Sequence, residues 1–206
     1  MRRVFVTLAL VLTVVRPSFG AQIFADNFNA YPSLPGSMLN ADIPGWVESS
    51  GTVDYLKGYP GLTCRGGSGG CIDLDGSVGD AADFASSAIT LLAGKTYTLT
   101  YWFSGNQRQG LGAPTDSMTV SFGGVTNAHT GIPWDAPFTQ YSIVVQPLVN
   151  TSSVIFFSHA GYDNVGLILD DVAVEETAAT PVPEPSSMIL LGTGLVGLMA
   201  WRKRRQ

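Results

Sequence analysis

From Thr96 to Phe103 the chain alternates without a break. Tyr97, Leu99, Tyr101 and Phe103 fall on one side, and Thr96, Thr98, Thr100 and Trp102 on the other. A two-residue period is that of a strand with one buried face, so this stretch predicts a half-buried β-strand. The pattern recurs in shorter pieces. Met118, Val120 and Phe122 alternate with Thr119 and Ser121, and Ile72 and Leu74 alternate with Asp73 and Asp75 before Gly76. Residues 88–92, 141–145, 154–158 and 167–174 complete the apolar runs. Gly, Pro, Asn and Asp separate these runs, and none between Gln22 and Glu176 keeps the 3.6-residue period of an amphipathic helix. Short strands parted by turns predict an all-β fold, an antiparallel β-sandwich or barrel.

Two apolar stretches depart from this pattern, one at each end. Residues 1–20 open with Arg2 and Arg3, run apolar from Val4 to Val15, and close with the small residues Ser18 and Gly20. That layout predicts a secretory signal peptide cut ahead of Ala21. At the other end, residues 177–185 read as a linker that finishes in Pro183, Glu184 and Pro185. Residues 186–206 hold the apolar run Met188–Trp201 and then Arg202, Lys203, Arg204 and Arg205. As a helix this segment comes near the length of a transmembrane span, and the four cations behind it favour the cytoplasmic side. The sandwich expected over residues 21–176 is thereby placed outside.

The three-part tail resembles the PEP-CTERM sorting signal of Gram-negative bacteria in its Pro183–Pro185 motif, apolar run and terminal basic cluster. The resemblance implies an inner-membrane intermediate, recognised by an exosortase and cut near Pro183–Pro185. The body is then passed to the cell surface or extracellular matrix. An uncut single-pass anchor is the other reading of the same residues.

Setting both ends aside changes the electrostatics. The whole chain has 11 Lys+Arg against 16 Asp+Glu, a net charge of -5. Ahead of Pro183 the body keeps only Lys57, Arg65, Lys95 and Arg108 against fifteen acids, a balance of -11. Such a surface repels phosphate backbones and argues against nucleic acid as a partner. An acidic exported domain instead suits calcium, which takes oxygen ligands. Cys64 and Cys71 flank a glycine-rich loop, and in an exported chain a close pair predicts a disulfide. Gly66, Ser68 and Gly70 match G-x-S-x-G, yet the strand before and the helix after a nucleophile elbow are missing.

The body carries a resemblance of its own. Asp26–Tyr31 (DNFNAY), Pro44–Trp46 (PGW), Ala93–Thr100 (AGKTYTLT) and Leu167–Val174 (LILDDVAV) follow one another in this order. Together they resemble the galactose-binding-like jelly rolls, which include many carbohydrate-binding modules. The resemblance implies a jelly-roll sandwich and sugar binding, with exopolysaccharide as the partner. It also implies a structural calcium ion between the first and last strands, at Asp26 or Asn29 beside Asp170. Under strict alternation Asp170 shares a face with Ile168, Val172 and Val174, where a buried carboxylate needs a compensating positive charge.

Sugars lay their C–H faces on flat rings, so an aromatic on a polar strand face is a candidate platform. Trp102, on the threonine side of its strand, is the first candidate, and packing against a second sheet is its other reading. Trp134 and Tyr162 stand on expected loops, and Trp46 is expected in the core. Asp73 with Asp75, and Asp170 with Asp171, are close along single strands, whereas glycosidases set two acids across a cleft. Asp73 and Asp75 read as a solvated strand end running into a turn, with a metal loop as the alternative. His129 and His159 have no recognisable triad around them. The expected protein is therefore a non-catalytic surface or matrix component that binds exopolysaccharide. A purely structural matrix role and a secreted glycoside hydrolase are the second and third readings. Mass spectrometry of surface protein from an exosortase-bearing host should find a C-terminus lacking Met188–Gln206; an intact tail would leave a plain anchor.

Overall fold

Two antiparallel sheets pack face to face in the computed structural model, which describes residues 20–177 apart from 32, 35, 79 and 80, and residue 193. The first sheet contains β1 (Ala21–Asp26), β3 (Asp54–Leu56), β4 (Cys71–Asp73), β7 (Thr96–Ser104), β10 (Thr139–Val145) and β13 (Ile168–Thr177). Its order is β10-β7-β13-β4-β3, with β1 added on β13. The second holds β2 (Trp46–Ser50), β5 (Asp83–Ser86), β8 (Thr115–Phe122), β9 (Val125–Pro133) and β12 (Phe156–Ala160), in the order β2-β5-β12-β8-β9. A small ribbon joins β6 (Ile89–Leu91) to β11 (Thr151–Ser153). The architecture is the expected all-β jelly-roll sandwich, and the body Gly20–Ala178 is one compact unit. The signal peptide and the sorting helix lie outside the described residues, save Gly20 and Thr193. Among the described residues no helix is long and apolar enough to cross a membrane.

The alternation along β7 sets the layers. Tyr97, Leu99, Tyr101 and Phe103 are buried between the sheets, and Trp102 and the threonines face outward, half-buried. Facing strands supply Phe84, Val120, Phe122 and Phe157 to the same core. Trp46 is stacked on Phe84 with ring centroids 4.5 Å apart, so this tryptophan is a core residue as expected.

The last strand departs from the expected alternation. A bulge between Asp170 and Ala173 shifts the register of β13 against β7, and Asp171 sits at φ 43°. The extra residue reverses the phase of the strand. Leu169, Val172 and Val174 therefore join the main core, whereas Ile168 packs in a second cluster with Leu56, Cys64 and Cys71. Asp170 lies on that second side, beside the cysteines, rather than among Val172 and Val174.

Cys64 and Cys71 are joined in a disulfide, with Cα atoms 5.5 Å apart. The loop they enclose begins with a single 3-10 turn, Arg65–Gly67, and then runs against the segment after β1. A Cβ on Gly69 would stand 1.7 Å from Asn29 Oδ1, and one on Gly70 would stand 2.3 Å from Phe28 O. Gly69 leaves room for the Asn29 amide, and Gly70 for the Phe28 carbonyl and the Tyr55 hydroxyl. Replacing both cysteines by serine should cost about 2–3 kcal/mol of stability in urea denaturation and leave a folded protein, because the loop closed is short. Free thiols titrating in the native exported protein would contradict the bridge.

Candidate functional site

Arg65 leaves the disulfide loop over the outer face of the first sheet. Its guanidinium carbon stands 4.0 Å from the centroid of the Trp102 ring, a cation–π contact, and its Nη1 donates to Asp171 Oδ2. The second sheet does not cover Trp102; Arg65 does. These three residues border a cleft of about 450 Å³, whose other walls include Gln22, Asn27, Thr100 and Asp26. The lining is polar, with one large aromatic ring set into a strand.

Buried hydrogen bonds hold the rim. Asp170 is 2% exposed, and its Oδ2 accepts from the Arg65 backbone N–H at 2.9 Å. Its Oδ1 accepts from the Asp171 N–H at 2.8 Å. Asp170 therefore holds the residue on each side of the cleft mouth. Burial pushes its carboxyl up to about 7, against the pull of those two N–H groups. Across the cleft, Asp26 accepts from Phe28 N at 2.9 Å, from Trp46 Nε1 at 2.8 Å and from the Tyr31 hydroxyl. Burial and the Asp26 carboxylate raise the Tyr31 phenol well above its ordinary value.

The calcium set expected from Asp26, Asn29 and Asp170 is committed elsewhere. Asn29 Oδ1 accepts from Gly70 N at 2.8 Å, and both oxygens of Asp26 and of Asp170 accept hydrogen bonds. None of these oxygens is among the buried side-chain atoms left without a partner. Two backbone N–H groups stand where a compensating charge was expected beside Asp170, and burial outweighs their pull. Among the described residues, three ligating atoms converge only at Cys64, Cys71 and Asp170, where the disulfide removes two of them. These residues do not fit a calcium ion.

The other candidates are scattered. Trp134 is half-buried in a turn, and its carbonyl accepts from Gln107 N at 2.8 Å. Tyr162 is 79% exposed on the loop after β12. Neither lines the cleft. His129 Nε2 is hydrogen-bonded to the Tyr101 hydroxyl at 2.8 Å, and His159 is buried. Asp73 and Asp75 overturn the expectation of a solvated strand end: both are fully buried, Asp73 paired with Arg108. Arg65 and Asp171 were not read as cleft residues, because nothing along the chain signals that a disulfide loop crosses over β7.

With geometry in hand, comparison with known proteins separates the two parts of the chain. Residues 181–205 match the PEP-CTERM protein-sorting motif. The chain thus carries a signal for export and membrane-associated sorting in Gram-negative bacteria. No curated protein matches the chain. Among solved structures, an arabinose-bound GH51 α-L-arabinofuranosidase superposes with a TM-score of 0.50 at 12% identity, covering 77% of this chain and 27% of that one. The tandem CBM22 domains of Paenibacillus barcinonensis Xyn10C superpose with a TM-score of 0.49 at 13% identity, over 84% of this chain and 49% of that one. The CBM22-1 xylan-binding domain of the same protein gives 0.45 at 11% identity, over 80% of this chain and 99% of that one. This chain spans half or less of the first two. At these identities the likeness is one of fold.

Asp170 also sets a pH dependence. Its raised value means the native state holds a proton that the unfolded chain has already lost between about pH 4 and pH 7. Its contribution to stability should therefore fall as pH rises through that window, by on the order of a few kcal/mol. Urea denaturation across the window should show a smaller fall in Asp170→Asn than in the unaltered protein; equal slopes would place the titration elsewhere.

Proposed function

We propose that the body is a non-catalytic polysaccharide-binding module, carried to the cell surface or extracellular matrix by its tail, with the Trp102 cleft as its sugar site. The observation that carries this reading is an outward-facing indole in a polar cleft, on the one sheet face that Arg65 and Asp171 also border. A pyranose offers C–H groups on its faces and hydroxyls at its edge. A sugar ring stacked on the indole takes the place of the Arg65 guanidinium now lying over it, and the guanidinium moves to the hydroxyl edge with the carboxylate and amide groups. Strands and a disulfide-closed loop hold the backbone of these groups, so the Arg65 side chain is the main element left to rearrange on binding.

Binding is favoured over hydrolysis by how the acids are used. The two carboxylates at the cleft are Asp26 and Asp171. Asp26 is held by Tyr31, Trp46 and Phe28, and Asp171 is paired with Arg65. A glycosidase needs one acid free to give a proton and a second free to attack or to activate water. Exosortase processing and transient residence in the inner membrane belong to this reading, and rest on the sorting motif.

Glycan arrays and affinity electrophoresis of the full chain test the site. Trp102→Ala and Arg65→Ala should each weaken binding by about tenfold, near 1.4 kcal/mol, with a melting temperature within a few degrees of the unaltered protein. A large stability loss in Trp102→Ala would make the ring a packing element, and no binding by the unaltered chain would leave a structural matrix component.

A further inference from the structure

The end of the sandwich at which β13 finishes is built almost without charge. Three turns meet there: residues 92–95 between β6 and β7, 123–124 between β8 and β9, and 146–150 between β10 and β11. Gly94 N donates to Pro147 O, Ala93 N to Asn150 Oδ1 and Gly123 N to Ser153 Oγ, each at 2.9 Å. Residues 86–94, 121–128 and 143–156 contain no Asp, Glu, Lys or Arg, in a body that holds fifteen acids. The charges bordering them are Lys95 and Glu176, paired at 2.9 Å, and the exposed Glu175.

Apolar side chains crowd this end instead. Leu148 is 93% exposed and Val149 69%, side by side on the turn that follows β10. Leu92, Val125 and Val154 are exposed on the segments joined to it. Single exposed apolar residues are ordinary, but several on neighbouring turns with no charge among them mark a contact surface. The turn is braced on both sides of its tip. Pro147 and Asn150 are tied to the 92–95 turn, and Gln146 Nε2 donates to Gly94 O at 3.4 Å. Leu148 and Val149 are thereby held outward.

The body's first and last strands both have their outer ends here. Ala21 pairs with Glu176, and Thr177 with Thr96. Glu176 accepts from Lys95 Nζ and, at 3.3 Å, from the Tyr97 hydroxyl, which itself accepts from Leu92 N at 2.9 Å. The end of β13 is thus bonded to the turn that carries Leu92. From Thr177, ten residues, 178–187, lead to the apolar run that begins at Met188. At full extension they reach about 35 Å. Trp102, by contrast, pairs with Asp170 near the start of β13, toward the other end of the sandwich.

We propose that the Leu148–Val149 turn, with Leu92 beside it, is a lipid-contact surface that seats the body on the bilayer while the sorting tail holds the chain there. The inference rests on the membrane residence read from the sorting motif. The bilayer is the partner because the short tether leaves from this end, and because an uncharged apolar tip can enter the headgroup region. The rest of the body, rich in acids, is repelled by anionic headgroups. Seated by this end, the body keeps the Trp102 cleft clear of the lipid. A few side chains bind a bilayer more weakly than one acyl chain does, so the contact lets go once the tail is cut.

The test uses the full chain in phosphatidylethanolamine–phosphatidylglycerol vesicles, with the fluorophore NBD on Leu148→Cys or on Tyr162→Cys, attached without reductant so that the disulfide stays closed. Tyr162 is exposed on the loop between β12 and the start of β13, at the far end. Flotation reports whether the tail holds the chain in the bilayer, and a chain that does not float removes the membrane reading and this inference with it. In floated protein, NBD at position 148 should shift to the blue and be quenched by spin-labelled lipid, and NBD at position 162 should do neither. Adding Val149→Asp should abolish the quenching at 148 and leave flotation and melting temperature unchanged. Equal quenching at both positions, or at neither, would overturn the seating with the tail still inserted. A blue-shift that spin-labelled lipid does not quench would give the surface to a second copy of the chain. Quenching that survives Val149→Asp would show that the dye, and not the turn, seeks lipid, and would end the proposal.

Discussion

The buried carboxylate of Asp170 is the constraint on which the rest of the arrangement hangs. It sits under a bulge in the last strand, away from water, and accepts only backbone N–H groups. One of them belongs to Arg65, the first residue inside the disulfide loop. The carboxylate therefore anchors that loop to the sheet, and the disulfide and the glycines let it lie flat. Arg65 is delivered over Trp102 as a consequence. An unpaired buried carboxylate is costly, so the loop and the bulge stabilise each other.

That dependence explains why the cleft stands on the outer face of a sheet and not at the loop-bearing end. Only one position on β7 carries a large ring outward, and Asp170 is its cross-strand partner on β13. The bulge places Asp171 on the same side as the ring, where Arg65 can meet both. With so few cations in an acidic body, each basic side chain has an assigned carboxylate or carbonyl. Arg108 is spent on the fully buried Asp73.

Much of the fold was legible wherever one strand face is buried. Thr96–Phe103, Met118–Phe122 and Tyr141–Val145 show the period of two because their inner side chains meet the opposing sheet. The edge strand β9 gave no such signal, since none of its residues is buried and it pairs with β8 alone. The run 154–158 was read as one strand. The chain there leaves the small ribbon after Ser153 and enters the second sheet at Phe156, with Ile155 bonded to Ser86 on the way.

By itself the amino-acid sequence determined the all-β class, the disulfide, the side of its strand that Trp102 shares with the threonines, and the sorting motif at the C-terminus. These are properties of period, composition and spacing, each legible along continuous stretches of the chain. Which groups meet Trp102, and whether Asp73 and Asp75 see water, were decided by tertiary structure alone. Asp75 meets Asp163 across 88 residues, and Arg65 meets Asp170 across 105. A one-residue bulge between Asp170 and Ala173 reverses which side of the last strand is core. Such a bulge costs a single ladder position and leaves no periodic trace in the sequence, because the apolar residues on both sides of it are buried either way.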